Sequence, residues 1–212
     1  MALRCKVVIL GAGGHAKVII DMIKSNPAFE IVGCIDQIGY RKVSGIPVLG
    51  DDSILPKLYE QGVHHAFVAI GENSIRHSLT RYVVDIGFEL INAISPFAYV
   101  ADSVMLGCGI AIMPGAVLNA EACIGNNSII NTGASVDHEC NVSETCHIAP
   151  GCNLSGHVTI GEGTFLGTGT KVIDGITIGS WSILGSGAVV VKDIPSRVLA
   201  VGVPAKIIKQ LA

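Results

Sequence analysis

Every sixth residue from Ile94 to Val190 is aliphatic, and the series has no break: Ile94, Val100, Leu106, Ile112, Leu118, Ile124, Ile130, Val136, Val142, Ile148, Leu154, Ile160, Leu166, Val172, Ile178, Leu184, Val190. A period of six matches neither a helix at 3.6 nor a simple strand at 2. It matches a chain that bends through a corner every six residues and closes a triangular coil every eighteen, the hexapeptide parallel β-helix. Two residues before each aliphatic sits a small or β-branched residue, as at Ala116, Ala122, Ser128, Ala134, Cys140, Cys146, Cys152, Val158, Thr164 and Thr170. Two inward positions per six residues, one large and one small, fill the narrow interior. One residue after the aliphatic, Gly107, Asn119, Gly125, Asn131, Asp137, Gly161, Gly167, Gly179 and Gly185 recur. These types tolerate tight or left-handed corners.

Composition narrows the function classes. Half of the 212 residues are hydrophobic and 15% are charged, enough apolar material for a sizeable core, and the net charge is −3. No basic patch is interleaved with aromatics, which argues against nucleic acid. No apolar run approaches bilayer length, despite a mean hydropathy of +0.57. The start, from Met1 to Lys6, leads straight into a strand-like run without a signal-peptide layout, so a cytoplasmic address is expected. Cys140, Cys146 and Cys152 fall on the inward small position of three faces, so they read as buried hydrophobes rather than metal ligands. The seven cysteines include no C-x-x-C, and nothing suggests a disulfide framework.

Residues 1–92 follow a different pattern. Short apolar strands at 6–10, 30–35 and 65–70 alternate with helical patterns at 18–23, 53–61 and 74–86, which predicts a small parallel α/β unit of four or five strands. The first strand runs into Gly11-Ala12-Gly13-Gly14-His15-Ala16, and Asp36 ends the second. This is the dinucleotide fingerprint in outline: glycines let the backbone approach a phosphate, a helix N-terminus offers free N–H groups, and a strand-end acid takes hydroxyls. A full dinucleotide fold needs two mononucleotide halves, so this length suits one nucleotide better than NAD. The predicted fold is therefore an N-terminal Rossmann-like α/β domain over 1–92 and a parallel β-helix over 93–212.

The coil carries one segment suited to chemistry, Val136-Asp137-His138-Glu139-Cys140. His138 follows the inward Val136 by two, so it sits at a corner and points out. Glu139 can fix the tautomer of the ring and raise the basicity of its other nitrogen. His147 precedes the inward Ile148 and also faces out, and His157 takes an outer position nearly a full coil beyond His138. Residues eighteen apart stack at strand spacing, about 4.8 Å. His138, Gly156 and Asp174 thus share one row, and Gly156 is expected to leave open space beside the ring for a substrate or thioester.

These residues together resemble one family. The Gly-Gly-His loop, the Asp36 strand end, Ala69-Ile70-Gly71-Glu72-Asn73, His138-Glu139, His147 and the ending Gly202-Val203-Pro204-Ala205-Lys206 look like the sialic acid O-acetyltransferase / nucleotide-sugar N-acetyltransferase family of left-handed β-helix proteins. The most similar members act on UDP-linked 4-amino-4,6-dideoxy sugars in bacillosamine-type glycan biosynthesis. The resemblance covers essentially the whole chain. It implies a left-handed coil, a homotrimer, and acetyl-CoA in the groove between neighbours, with no metal. It implies His138 as base, Glu139 as the acid that enhances it, and His147 near the thioester. Thr168 and Ser186 fall at CoA-lining positions, where the family often has an aliphatic and a glycine. Gly13, Gly14, His15, Asp36, Gln37 and Gly71 match the nucleotide-sugar pocket.

The expected function is thus acetyl-CoA-dependent N-acetylation of the 4-amino group of a UDP-linked sugar. The alternatives are a GDP-linked 4-amino sugar or O-acetylation of a sialic acid. Two more distant rivals are an NAD-dependent protein using the glycine loop and a trimeric zinc hydratase sharing the coil. The hydratase needs a histidine two coils after His138, and position 174 is Asp.

Overall fold

The computed structural model describes residues 4–37 and 42–212. Met1, Ala2 and Leu3, on which the expected lack of a signal peptide rests in part, lie outside the described residues. The chain divides into two compact units, one up to Pro96 and one over Phe97–Ala212. Among the described residues, no helix is long and apolar enough to cross a membrane.

The first unit runs β1 (Cys5–Leu10), α1 (Gly14–Lys24), β2 (Phe29–Ile35), β3 (Lys42–Val43), β4 (Ile46–Gly50), α2 (Leu55–Glu60), β5 (His65–Val68), α3 (Asn73–Ile86) and β6 (Glu89–Leu90). The sheet order is β3-β4-β2-β1-β5-β6. It has six strands rather than four or five, because β3 and β4 form an antiparallel hairpin that also extends the parallel sheet beside β2. The central strand β1 is covered on both faces, with Val7, Val8, Ile9 and Leu10 all buried, as parallel sheets require. Helix α1 buries Ala16, Ile19, Ile20, Met22 and Ile23. It starts at Gly14, inside the glycine loop, rather than at position 18, so the loop glycines are its N-terminus. The helical pattern at 53–61 is a 3-10 turn followed by the short α2, with Pro56 at its start. Helix α3 is capped at its start by the Glu72 side chain, which accepts from Ser74 and Ile75 N–H, and it ends at left-handed Gly87. β1 pairs with β2 on one side and β5 on the other. This is the point where the strand order reverses and where open α/β sheets form a crevice at their carboxyl ends.

The second unit is the coil. Two-residue parallel strands stack in register eighteen residues apart, as in Ser135↔Asn153↔Lys171, Asn141↔Thr159 and His147↔Phe165. From Ile112 to Val190 every sixth-residue aliphatic is buried, each worth about 1.5–3 kcal/mol relative to exposure. At the open end Val100 and Leu106 are partly buried and Ile94 is exposed, because no full coil precedes them. Cys140, Cys146 and Cys152 lie in the interior with the small residues of the second register, and burial pushes the Cys140 thiol up to about 11.

The corners depart from expectation. The left-handed residue is three positions after the aliphatic, not one, and it recurs every six residues from Gly109 to Gly187. The glycines one position after the aliphatic are there for a different reason. A Cβ on Gly125 would stand 2.6 Å from the Glu144 N, and one on Gly167 2.6 Å from the Ser186 N, both backbone of the next coil.

Candidate active site

His138 stands on a corner held by hydrogen bonds. Its own backbone N–H donates to Asp137 Oδ1 at 2.8 Å, and Asn119 Nδ2 donates to the same oxygen at 2.8 Å. These bonds, Asn119's first, hold the Asp137 carboxyl below the usual carboxylate range. Glu139 takes the left-handed corner conformation, φ 57, and its N–H donates to Ala120 O at 3.0 Å. From there its Oε2 lies 3.0 Å from His138 Nδ1. A carboxylate only accepts, so Nδ1 carries the proton and Nε2 presents a lone pair. The ring is half-exposed. His138 thus has its tautomer set by a neighbour and an Nε2 lone pair facing outward, an arrangement that suits a general base.

The ring leans over Gly156. A Cβ there would meet His138 Cε1 at 2.5 Å and Nε2 at 2.7 Å. The expected open space beside the ring is thus filled by the ring itself. Gly156 is glycine so that His138 can lie down over the next coil. Asp174 Oδ1 is 3.0 Å from the same point, which places all three residues in one row.

In the sequence His157 is only an outer residue, yet in the structure it completes the cluster. Its Nε2 is 3.3 Å from Glu139 Oε2, and its ring meets His138 edge-on with centroids 5.1 Å apart. The ligand atoms of His138, Glu139 and His157 lie within 4.8 Å of one another, a spacing that a divalent ion can bridge.

The remaining coil residues lie elsewhere around the triangle. His147, 9% exposed, accepts at Nε2 from Asn131 Nδ2 at 3.0 Å and packs edge-on against Phe165 at 5.1 Å. It lies on the outer surface of the coil, as the register requires, but it is covered rather than free. Thr168 and Ser186 are exposed and one coil apart on a different corner from His138, where Gly187 N–H donates to Thr168 O. One chain therefore brings His138, Glu139, Gly156 and His157 together, and leaves His147, Thr168 and Ser186 apart from them.

In the first unit the glycine loop closes on the end of β2. Asp36 Oδ2 accepts from Ala12 N–H at 2.7 Å. Among the described residues, nothing crowds the position a Cβ would take on Gly13 or Gly14 within 4 Å, which leaves room for a ligand against their backbone. A cleft of about 320 Å³ is lined by Gly13, Gly14, Lys17, Lys42 and Ser44. A helix N-terminus beside two lysines is an arrangement that favours a phosphate group. Lys17 lies on the first turn of α1, close to the loop in sequence; Lys42 comes from the hairpin, and no sequence pattern connects it with the loop. A second cleft, about 360 Å³, has apolar walls from Ile35, Ile70 and Leu79 together with Gly11, Asp36, Gln37 and Asp52. Burial, and then the neighbouring Asp51 and Asp36, push the Asp52 carboxyl up. Apolar walls with carboxylates suit a planar base and its donor groups.

His15 sits in the first turn of α1 with Nε2 buried and without a hydrogen-bond partner among the described residues. Burial, reinforced by the Arg76 guanidinium, holds its pKa down at about 4, so the ring is neutral. Arg76, 1% exposed, donates to the carbonyls of Ile70 and Gly71 at 3.1 Å and to Asn73 Oδ1 at 2.8 Å. That buried guanidinium fixes the Gly71 carbonyl at the mouth of β5.

Comparison with known proteins gives a consistent picture. Residues 6–83 match the PglD N-terminal domain family, and residues 157–192 match the bacterial transferase hexapeptide (six repeats) family. The chain is 49% identical to a perosamine N-acetyltransferase from Caulobacter crescentus, solved in complex with CoA and GDP-perosamine, with 97% of each chain covered and a TM-score of 0.94. It is 36% identical to the acetyltransferase domain of PglB from Neisseria gonorrhoeae, solved in complex with acetyl coenzyme A, covering 97% of this chain and 100% of that one at a TM-score of 0.92. A curated relative, uncharacterized protein L142 of Acanthamoeba polyphaga mimivirus, is 34% identical over 124 residues; the match spans 57% of this chain and about a quarter (24%) of that protein.

Proposed function

The chain belongs to the nucleotide-sugar N-acetyltransferases of the hexapeptide-repeat β-helix type, and on that footing we propose that it acetylates the amine of a GDP-linked 4-amino-4,6-dideoxy sugar from acetyl-CoA. The observation that carries the nucleotide is the full-length 49% identity to a protein solved with GDP-perosamine. It favours GDP over the UDP expected from sequence.

The reaction joins the sugar amine to the acetyl carbonyl and releases CoA as its thiol. The neutral amine attacks the thioester carbon, and a tetrahedral intermediate forms. His138 Nε2 takes the proton that the nitrogen loses, and that proton ends on the departing sulfur. Glu139, 3.0 Å from Nδ1, steadies the imidazolium while it exists. The Gly156 N–H makes no hydrogen bond among the described residues and is a donor available to the developing oxyanion. No step needs a metal. Gly13, Gly14, Lys17 and Lys42 hold the phosphates, and the apolar cleft with Asp36, Gln37 and Asp52 takes the nucleoside. Thr168, Ser186 and His147 line the CoA path. They stand apart from His138 in one chain, so a site made by neighbouring chains of a homotrimer would reunite them.

Steady-state kinetics with GDP- and UDP-linked 4-amino sugars test this reading. The GDP sugar should have the higher kcat/KM by at least about 100-fold. His138→Ala should lower kcat by about 10²–10⁴-fold, and EDTA should leave the rate unchanged. A preference for the UDP sugar would overturn the base assignment. Acetylation of sialic acid in place of either amine would overturn the acceptor class.

A further inference from the structure

Glu139 and His157 are eighteen residues apart and occupy the same corner of successive coils. Both are left-handed, φ 57 and φ 56. Their side chains therefore leave the coil side by side. In this column Glu121 precedes the pair and Gly175 follows it; among the other left-handed corners Asn127, Thr145 and Trp181 carry side chains, whereas Gly133, Gly151 and Gly169 do not. A left-handed residue with a β-carbon is disfavoured relative to glycine. These corners accept glycine or a side chain, so it is what His157 touches, not its φ, that bears on function.

What the histidine touches defines the role. Glu139 Oε2 faces two imidazole nitrogens, His138 Nδ1 at 3.0 Å and His157 Nε2 at 3.3 Å. The two rings stand nearly perpendicular, at 87°. Only the His138 contact is a hydrogen bond; the His157 contact is at ion-pair distance, and the Glu139 oxygen has a second lone pair to offer it. The backbone already ties the partners together, since His157 N–H donates to His138 O at 3.0 Å. Glu139 itself is half-exposed, and a long carboxylate side chain held by one bond keeps much of its rotamer freedom. We propose that His157 is a positioning residue: its Nε2–H clamps the Glu139 carboxylate, and the clamped carboxylate keeps His138 protonated on Nδ1 with its Nε2 lone pair free. His157 Nε2 is committed to Glu139, so His157 does not exchange protons with the substrate. The inference rests on His138 being the base of the proposed reaction.

Glycine is the natural deletion at a left-handed position. His157→Gly should keep or raise the melting temperature while lowering kcat about tenfold, one net hydrogen bond's worth of orientation. KM for acetyl-CoA and for the amino-sugar nucleotide should each stay within about twofold. His157→Gln reaches the same carboxylate with a neutral N–H and should restore most of the rate. In a Glu139→Ala background His157→Gly should cost almost nothing, because it acts only through Glu139. The second readout needs no substrate. Imidazole ¹⁵N spectra of the free protein should show His138 as a single Nδ1–H tautomer, and as a mixture in His157→Gly. A pure tautomer in the variant overturns the proposal even if the reaction is assigned correctly. So does an undiminished kcat, an equal loss without Glu139, or a loss confined to KM for acetyl-CoA. A tautomer shift with no acetyl transfer in the parent protein would instead count against the reaction and leave the clamp standing.

Discussion

Gly156 has no side chain because the His138 ring lies where one would be. Gly156→Ala would put a methyl group 2.5 Å from His138 Cε1. Gly156 is not left-handed, so its backbone accepts alanine, and the ring is the free end of a side chain that can swing away. The fold should survive, with a stability change within about 1 kcal/mol. The base should not: we expect kcat/KM to fall at least about tenfold through misplacement of Nε2. Thermal melts and kinetics on the same preparation check both halves, and full activity would mean that the ring works from another position. His15 gives a residue-scale effect of another kind. Its folded pKa of about 4 lies below its ordinary 6.5, so between those values the unfolded chain binds the additional proton. Stability from this group is complete above pH 6.5 and is lost as pH falls toward 4, by at most about 3 kcal/mol. His15→Phe keeps a ring and removes the titration. In ligand-free protein, urea midpoints of the variant should drop less than those of the parent between pH 7 and pH 4; parallel curves would show that folding does not depress the His15 pKa.

The corners of the coil use glycine for two physical reasons, and the two respond differently to alanine. Gly133 is left-handed, φ 65, and open around its would-be Cβ, so Gly133→Ala costs only backbone strain, about 1–2 kcal/mol. Gly167 has ordinary φ but faces the Ser186 N at 2.6 Å and the Leu184 O at 2.7 Å, both main chain. Nothing there can rotate aside, so Gly167→Ala has to push neighbouring coils apart and should cost about 2–3 kcal/mol or more. Denaturant titrations that rank the two in the opposite order would refute the distinction. The same duality limits what sequence can show. The period from Ile94 to Val190 predicts the coil because burial dictates the inward residue. It does not say which glycine is left-handed, since close approach and positive φ select the same residue type. His138-Glu139 is legible because the pair is adjacent in the chain. His157 is not, because its contact with Glu139 exists only once successive coils are stacked. In the first unit the strands β1, β2 and β5 are legible from their apolar runs. The hairpin Lys42–Val43 and Ile46–Gly50 is not: it is short, and Gly45 and Pro47 mark it as loop.

At the scale of the whole molecule, the two units hold different chemistry. The first has an open glycine loop, two lysines and an apolar cleft with carboxylates; the second has a histidine with a fixed tautomer. The proposed substrates divide the same way, the nucleotide on the first unit and acetyl-CoA along the coil. Asp36 tests that division. Its Oδ2 holds the glycine loop through Ala12 N–H at 2.7 Å, and it lines the nucleoside cleft. Asp36→Ala removes a charged acceptor and unties the loop, and a lost charge-assisted bond of about 1.5–3 kcal/mol corresponds to roughly 10–100-fold in affinity. KM for the GDP-linked amino sugar should rise by that order while KM for acetyl-CoA stays within about twofold, because the proposed acetyl-CoA residues belong to the coil and Asp36 to the first unit. Asp36→Asn retains an acceptor for Ala12 N–H and should fall between the parent and the alanine variant, which separates loop closure from the charge itself. Both KM values, measured for both variants, decide the matter. An equal rise for the two substrates, or a selective loss of acetyl-CoA affinity, would mean that the nucleotide is not bound by the first unit.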